Sequence, residues 1–222
     1  MPRIAIVGAG LAGLTLAHKL AKLADVTVFE KSRGVGGRMA TRYADEFEFD
    51  HGAQFFTARS AAFREFLEPL LRAGAVATWS ARFAELDRDQ ITASRRWSDD
   101  YPHYVGTPRM NSVAAFLAQG IHVRKETSLE ELRRCSKGWQ LRDSTGNELG
   151  VFDWVVLTAP PAQTGQLAAS SGSLARLAED RQMSACFALM LGFAAPLQLD
   201  WDAARVRNAD ISWISANSSK PG

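Results

Sequence analysis

Residues 30–56, EKSRGVGGRMATRYADEFEFDHGAQFF, decide how this chain is read. They follow a segment that already has the parts of a nucleotide-binding turn, and they add a second set of glycines, a group of cations and an aromatic loop. Lys31, Arg33, Arg38 and Arg42 carry the charge, with Gly34, Gly36 and Gly37 among them. Glycines this closely spaced let the backbone pass near a bulky ligand, and a planar guanidinium suits phosphate oxygens. A solvated basic loop is the commoner fate of such a run, but it gains nothing from three glycines.

The preceding residues explain what the ligand could be. RIAIVGAG (3–10) is an apolar run ending in glycines, as expected of a central parallel strand covered on both faces. Gly8, Gly10 and Gly13 then follow the G-x-G-x-x-G spacing, with Leu11 and Ala12 inside it, and the pattern continues as a helix. Gly8 permits the tight turn, Gly10 lets the backbone approach a pyrophosphate, and Gly13 lets the helix pack on the strand. The helix start offers unpaired N–H groups and the positive end of the dipole to phosphates. DVTVFE (25–30) supplies the second strand, and Glu30 stands where the fingerprint expects a ribose-binding acid. A nicotinamide dehydrogenase accounts for Gly8 to Glu30 but not for GVGGR. A cofactor whose reactive ring lies deeper along the protein accounts for both, which points to permanently bound FAD.

FEKSRGVGGRMATR, FDHGAQFFTAR, YVGTPRMNSVAAFLA and DWVVLTAPPAQT together resemble the flavoprotein superfamily of monoamine oxidases, and bacterial renalases in particular. The resemblance implies noncovalent FAD, contacted by Gly8, Gly10, Leu11, Ala12, Gly13, Glu30, Lys31, Ser32, Gly37, Arg38 and Met39. It implies that Gly52, Ala53, Gln54 and Phe55 run along the flavin and that Ser128 meets the adenine through its backbone. Phe56, Thr57, Ala58, Arg59 and Ser60, with Arg96, are the expected substrate-facing residues. For Phe55 and Phe56 a place in the core is an equal expectation, since aromatic side chains are more often core than cofactor neighbours.

The fold class expected is α/β: a Rossmann-like FAD-binding domain with a parallel central sheet and an antiparallel crossover, plus an α+β substrate domain with a mixed or antiparallel sheet. Its expected segments are 1–62 and 101–162 for the first domain, and 63–100 and 163–222 for the second. In the second, AAFREFLEPLLRAG places Phe63, Phe66, Leu67, Leu70 and Leu71 on one helical face. Short antiparallel strands follow, with a turn near residues 87–89. Asn111 or Ser112 can cap the next helix. Residues 121–125, the pair flanking Ser144 to Asn147, and 154–157 are expected strands, the last one buried. SLARLAEDRQ (173–182) reads as a helix, and CFALMLGFAAPL (186–197) and DISWISANSS (210–219) as strands. The resemblance also implies a closing strand and helix that have no counterpart before Gly222, so a truncated form is expected.

At 222 residues and 46% hydrophobic, the chain can bury a sizeable core, and its net charge of +2 suggests neither nucleic acid nor a membrane surface as partner. Cys135 and Cys186 lack any spacing pattern and read as reduced thiols of a cytoplasmic protein; the four histidines lack metal-ligand spacing. No signal peptide is legible at the N-terminus. Asp50 beside His51 has no nucleophile motif with it, so no catalytic residue is assigned and the chemistry is expected on the flavin. The resemblance implies oxidation of isomeric dihydronicotinamide dinucleotides by oxygen. A flavin amine oxidase, and a nucleotide-binding fragment without activity, remain the alternatives. The oligomeric state is not legible in the residues.

Overall fold

The computed structural model describes residues 1–222. From the N-terminus the elements are β1 (Arg3–Val7), α1 (Leu11–Leu20), β2 (Asp25–Phe29), β3 (Thr41–Ala44), β4 (Phe47–Asp50) and β5 (Phe56–Thr57). Then come α2 (Ala61–Arg72), β6 (Val76–Thr78), β7 (Arg82–Asp87), β8 (Gln90–Arg96), β9 (His103–Gly106) and α3 (Ser112–Leu117). β10 (His122–Arg124), β11 (Leu129–Cys135), β12 (Gly138–Asp143), β13 (Glu148–Phe152) and β14 (Trp154–Leu157) follow. The last are α4 (Pro161–Leu167), α5 (Gly172–Glu179), β15 (Ala203–Arg207) and β16 (Trp213–Ser215).

The chain divides into two compact units, Met1–Arg38 with Ala114–Phe187, and Met39–Val113 with Ala188–Gly222. In the first unit a parallel sheet runs in the order β10-β2-β1-β14. β1 and β2 are buried on both faces after their first residue, which is what their unbroken apolar sequences require. α1 turns Gly13, Leu14 and Ala17 inward, a single helical stripe. The antiparallel β11-β12-β13 sheet is the crossover. It joins the core through Leu132, Leu141, Leu149 and Phe152, packed with Ala5 and Phe29, and the Phe29 and Phe152 rings meet edge-on at 5.7 Å.

In the second unit β16-β15-β7-β8 form a mixed sheet in which only the β15–β7 pair is parallel. β5-β9-β6 and β3-β4 form smaller antiparallel sheets. Ser60 caps α2, its hydroxyl accepting from the Phe63 N–H at 3.2 Å. The fold class is thus α/β with a parallel sheet and antiparallel sheets.

Several expectations are revised. The division falls elsewhere than at 62, 101 and 162. β5 and β9 pair with one another and β9 with β6, so residues 56–57 and 103–106 belong with the excursion they were thought to flank. α4 and α5 belong to the first unit. Leu71 is 37% exposed, whereas Leu67 and Leu70 form the buried stripe of α2. β14 is only half-buried, and Trp154 at its start is 66% exposed.

The expected strand over 186–197 is absent: the segment has no regular structure, and Phe187 and Leu189 are 95% and 75% exposed. An apolar run becomes a strand only where a neighbouring edge takes its N–H and C=O groups, and none of the five sheets pairs with it. β11 and β15 were not anticipated; LEELRRC and AARVR are too charged to stand out as strands and are held by their partners. Neither expected cap serves α3. Ser112 is the first helical residue, and the Asn111 amide donates to the Tyr43 hydroxyl at 3.3 Å.

Candidate dinucleotide site

The glycine turn of the first unit is built by a few short contacts. Gly8, at φ +107°, donates its N–H to the Phe29 carbonyl at 2.8 Å, which ties the end of β1 to the end of β2. A Cβ on Gly13 would lie 2.0 Å from the Gly8 carbonyl oxygen, so only glycine lets α1 start this close to the strand. Gly10 is different. It is extended, and a Cβ there would meet nothing within 4 Å. Gly10 is also the N-cap of α1 and offers no side-chain acceptor, so the first N–H groups of the helix, from Leu11 onward, have no side-chain cap.

Glu30 is buried, and it organises the turn. Its Oε2 accepts from the Ala9 N–H and its Oε1 from the Ser32 N–H, both at 2.8 Å. Its backbone is pinned as well: its N–H donates to the Arg124 carbonyl and its own carbonyl accepts from Thr127. Each carboxylate oxygen has a second lone pair, so the acid can hold the turn and still accept from a ligand hydroxyl.

The second glycine segment packs directly on the first. Gly36 donates to the Ala9 carbonyl at 2.9 Å and forms a parallel bridge with Gly10. Gly37 has φ +54°, and a Cβ there would sit 3.4 Å from the Gly10 Cα. Lys31, Ser32, Gly37 and Arg38 are exposed around this double turn. Ser128 is half-buried, and its carbonyl already accepts from the Ser144 N–H at 2.8 Å. An adenine contact there therefore shares that oxygen or uses the N–H.

The second unit holds the remaining expected residues. Met39 is buried; Gly52 is exposed; Ala53, Gln54 and Phe55 are half-buried. The Phe55 ring lies 4.9 Å from Trp97, 4.9 Å from His103 and 5.5 Å from Trp213. Trp97 and His103 stack at 3.8 Å, and burial lowers the His103 pKa, favouring the neutral ring. Phe56 stacks on Tyr104, its partner in the β5–β9 pair. Thr57 and Ala58 are half-buried, while Arg59 and Ser60 are exposed. Ser60 is the helix cap, the Arg59 carbonyl accepts from Arg64, and Arg96 donates to the Ser80 carbonyl at 2.9 Å. Each of these last three thus has a structural partner.

Sequence reasoning missed one group altogether. Lys220 lies 3.2 Å from Asp50, with both side chains at least 96% buried. The other Asp50 oxygen accepts from the Thr41 hydroxyl at 2.8 Å and the Met110 N–H at 3.0 Å. Lys220 also approaches Gln54 Oε1 at 3.3 Å and lies 5.6 Å from the Trp79 ring centroid. Burial pushes its pKa below the ordinary lysine range, against the opposing pull of Asp50. No spacing rule links residues 170 apart, so the sequence carried no signal of this pair.

The parallel sheet and the double glycine turn have the form of a Rossmann-like domain. Residues 6–70 match the family model of the NAD(P)-binding Rossmann-like domain. Over 50 residues, 22% of this chain, the sequence is 54% identical to 4,4'-diapophytoene desaturase (4,4'-diaponeurosporene-forming) of Staphylococcus haemolyticus (strain JCSC1435). The desaturase of Staphylococcus aureus (strain Newman) is 47% identical over 51 residues. The matched part is about a tenth of either desaturase, 10% in each case. A crystal structure of a protoporphyrinogen oxidase-like protein from Exiguobacterium sp. 255-15 superposes with a TM-score of 0.68 at 14% identity, covering 98% of this chain and 73% of that one.

The Rossmann-like and desaturase matches, with the double glycine turn, imply FAD as the cofactor. The residues present fit its dinucleotide half: open space beside Gly10, an uncapped helix start, a buried acid and exposed cations. No helix is long and apolar enough to cross a membrane.

Proposed function

We propose that this chain is an FAD-dependent oxidase of renalase type, oxidising isomeric dihydronicotinamide dinucleotides with oxygen as acceptor in the cytoplasm. The observation that carries the cofactor assignment is the packing of Gly36 and Gly37 on Ala9 and Gly10. A nicotinamide dehydrogenase has no use for that second turn, whereas a dinucleotide held permanently gains a second wall. The renalase assignment rests on the sequence resemblance of the four segments quoted above. The desaturase match covers 50 residues, 22% of this chain and 10% of the desaturase, so it carries no substrate assignment.

In this reading Leu11, Ala12 and Gly13 offer helix-start N–H groups to the pyrophosphate, with Gly8 and Gly10 giving room for it. Glu30 accepts from the ribose hydroxyls and disfavours a 2′-phosphate. Lys31, Ser32, Gly37 and Arg38 add charge and donors toward the phosphates, and Ser128 offers backbone to the adenine. Met39 and the 52–55 loop are assigned to the flavin; Phe56 to Ser60 and Arg96 to the substrate. When bound, the flavin supplies the hydride acceptor and passes electrons to oxygen. The chain itself has only to bind and orient.

A flavin amine oxidase is the second reading. The aromatic group of Phe55, Trp97 and Trp213 favours it, although these rings pack on one another and not as an open cage. The visible spectrum of the purified protein, before and after incubation with FAD, tests the cofactor. Peroxide release from dihydronicotinamide isomers against amines then separates the two readings. Flavin bands without turnover of either would leave a nucleotide-binding fragment.

A further inference from the structure

The carboxamide of Gln54 has every hydrogen-bonding position filled. Its Nε2 donates to the carbonyls of Asp50 and Gly52. Its Oε1 accepts from the Ser215 hydroxyl at 2.8 Å and the Lys220 ammonium at 3.3 Å. Two donors and two lone pairs are all that a carboxamide has. An ammonium has no acceptor, so Lys220 can face only the oxygen, and the Gln54 nitrogen must then face the two carbonyls.

The group that dictates this orientation needs its own support. Lys220 is buried, and Asp50 supplies the counter-charge while gathering the Thr41 hydroxyl and the Met110 N–H on its other oxygen. Buried ion pairs contribute little stability beyond what a well-packed apolar pair of the same volume would. Direction is what this pair provides: a single charge aimed at a single side chain, 166 residues away in sequence, in the loop before Phe55.

We propose that Lys220 is a positioning residue: acting through Gln54, it sets the course of the 52–55 loop and so the surface that loop presents to the flavin. The functional half of this statement rests on the flavin reading above; the loop half does not.

The test compares the wild-type protein with Asp50→Asn/Lys220→Met. Lys220→Met alone leaves a buried carboxylate without a partner and confounds position with stability. The double variant removes both charges together, and the asparagine still accepts from Thr41 and Met110. Chymotrypsin cleavage after Phe55 and Phe56, measured without FAD and followed by fragment mass, is expected to quicken about tenfold, the scale of one charged hydrogen bond lost. The rest of the second unit should be cut as before. FAD added to the double variant should bind more weakly, with its visible bands displaced from the wild-type position.

A double variant of near-wild-type melting temperature that is cut after Phe55 and Phe56 no faster than wild type overturns the proposal. Faster cleavage with unchanged FAD affinity and spectrum overturns its functional half. If the double variant does not fold, Gln54→Met leaves the ion pair intact and should quicken the same cleavage; unchanged cleavage there overturns the proposal equally. A wild-type protein that takes up no FAD overturns the flavin reading, and the cleavage measurement still decides the fate of the loop.

Discussion

Glu30 accepts the Ala9 N–H on Oε2 at 2.8 Å, so the acid that ends the second strand is a structural member of the glycine turn 21 residues before it. Its other oxygen takes the Ser32 N–H, which begins the second glycine segment. One carboxylate thus couples the two turns, and ligand binding and local order depend on the same side chain.

Glu30→Gln is therefore expected to do more than weaken a ribose contact. The amide can accept from only one of the two N–H groups and sets its own NH2 against the other. The expected loss is about 1–3 kcal/mol of stability, the cost of a buried donor left unmet. Chemical denaturation of the protein without cofactor checks this. A variant as stable as wild type, but weaker in binding FAD, would assign Glu30 to the ligand alone.

Gly10 and Gly13 should separate folding from binding. Gly13→Ala places a methyl 2.0 Å from the Gly8 carbonyl oxygen and is expected to abolish the soluble folded protein. Gly10→Ala places its methyl in open space on an extended backbone. That variant should melt within a few degrees of wild type yet lose FAD binding, as read by the visible spectrum and by circular dichroism melting.

Asp143 carries a pH-dependent element of stability. Its carboxylate gathers the Thr145 N–H and hydroxyl and the Asn147 N–H and side-chain amide, and these hydrogen bonds lower its pKa to about 2. A carboxylate lowered in the folded state adds stability that is fully present above its unfolded pKa, about 3.9. That stability is lost as pH falls toward 2. Asp143→Asn should flatten this part of the acid-unfolding curve while leaving the neutral-pH slope alone. Identical acid curves for the two proteins would remove Asp143 as the cause.

Ser60 was expected on the substrate side and is found capping α2. Ser60→Ala should cost about 1 kcal/mol of stability, read by urea denaturation. A substrate role would add a rise in KM that Ser60→Asp, another capping residue, does not reverse.

The residues through which the first unit was legible are those whose behaviour is settled within a turn or two of chain. Gly8, Gly10 and Gly13 read as a strand–turn–helix because φ, close approach and helix start are local properties. RIAIV and DVTVF read as central strands because burial on both faces demands an unbroken apolar run. Ser60 marks the limit of such local reading: a serine before a helix and a serine beside a substrate look alike in a string of letters, and only the fold shows that this one caps α2.

What sequence alone determined, then, was the double glycine turn, the acid after β2 and the parallel sheet they serve. Tertiary structure alone decided that Gly36 and Gly37 sit on Ala9 and Gly10, that Lys220 answers Asp50, and that CFALMLGFAAPL is no strand. Each of these depends on a partner that folding brings near from elsewhere in the chain. Charge and apolarity say that a group needs a partner; only the assembled backbone says which partner it gets, or that it gets none.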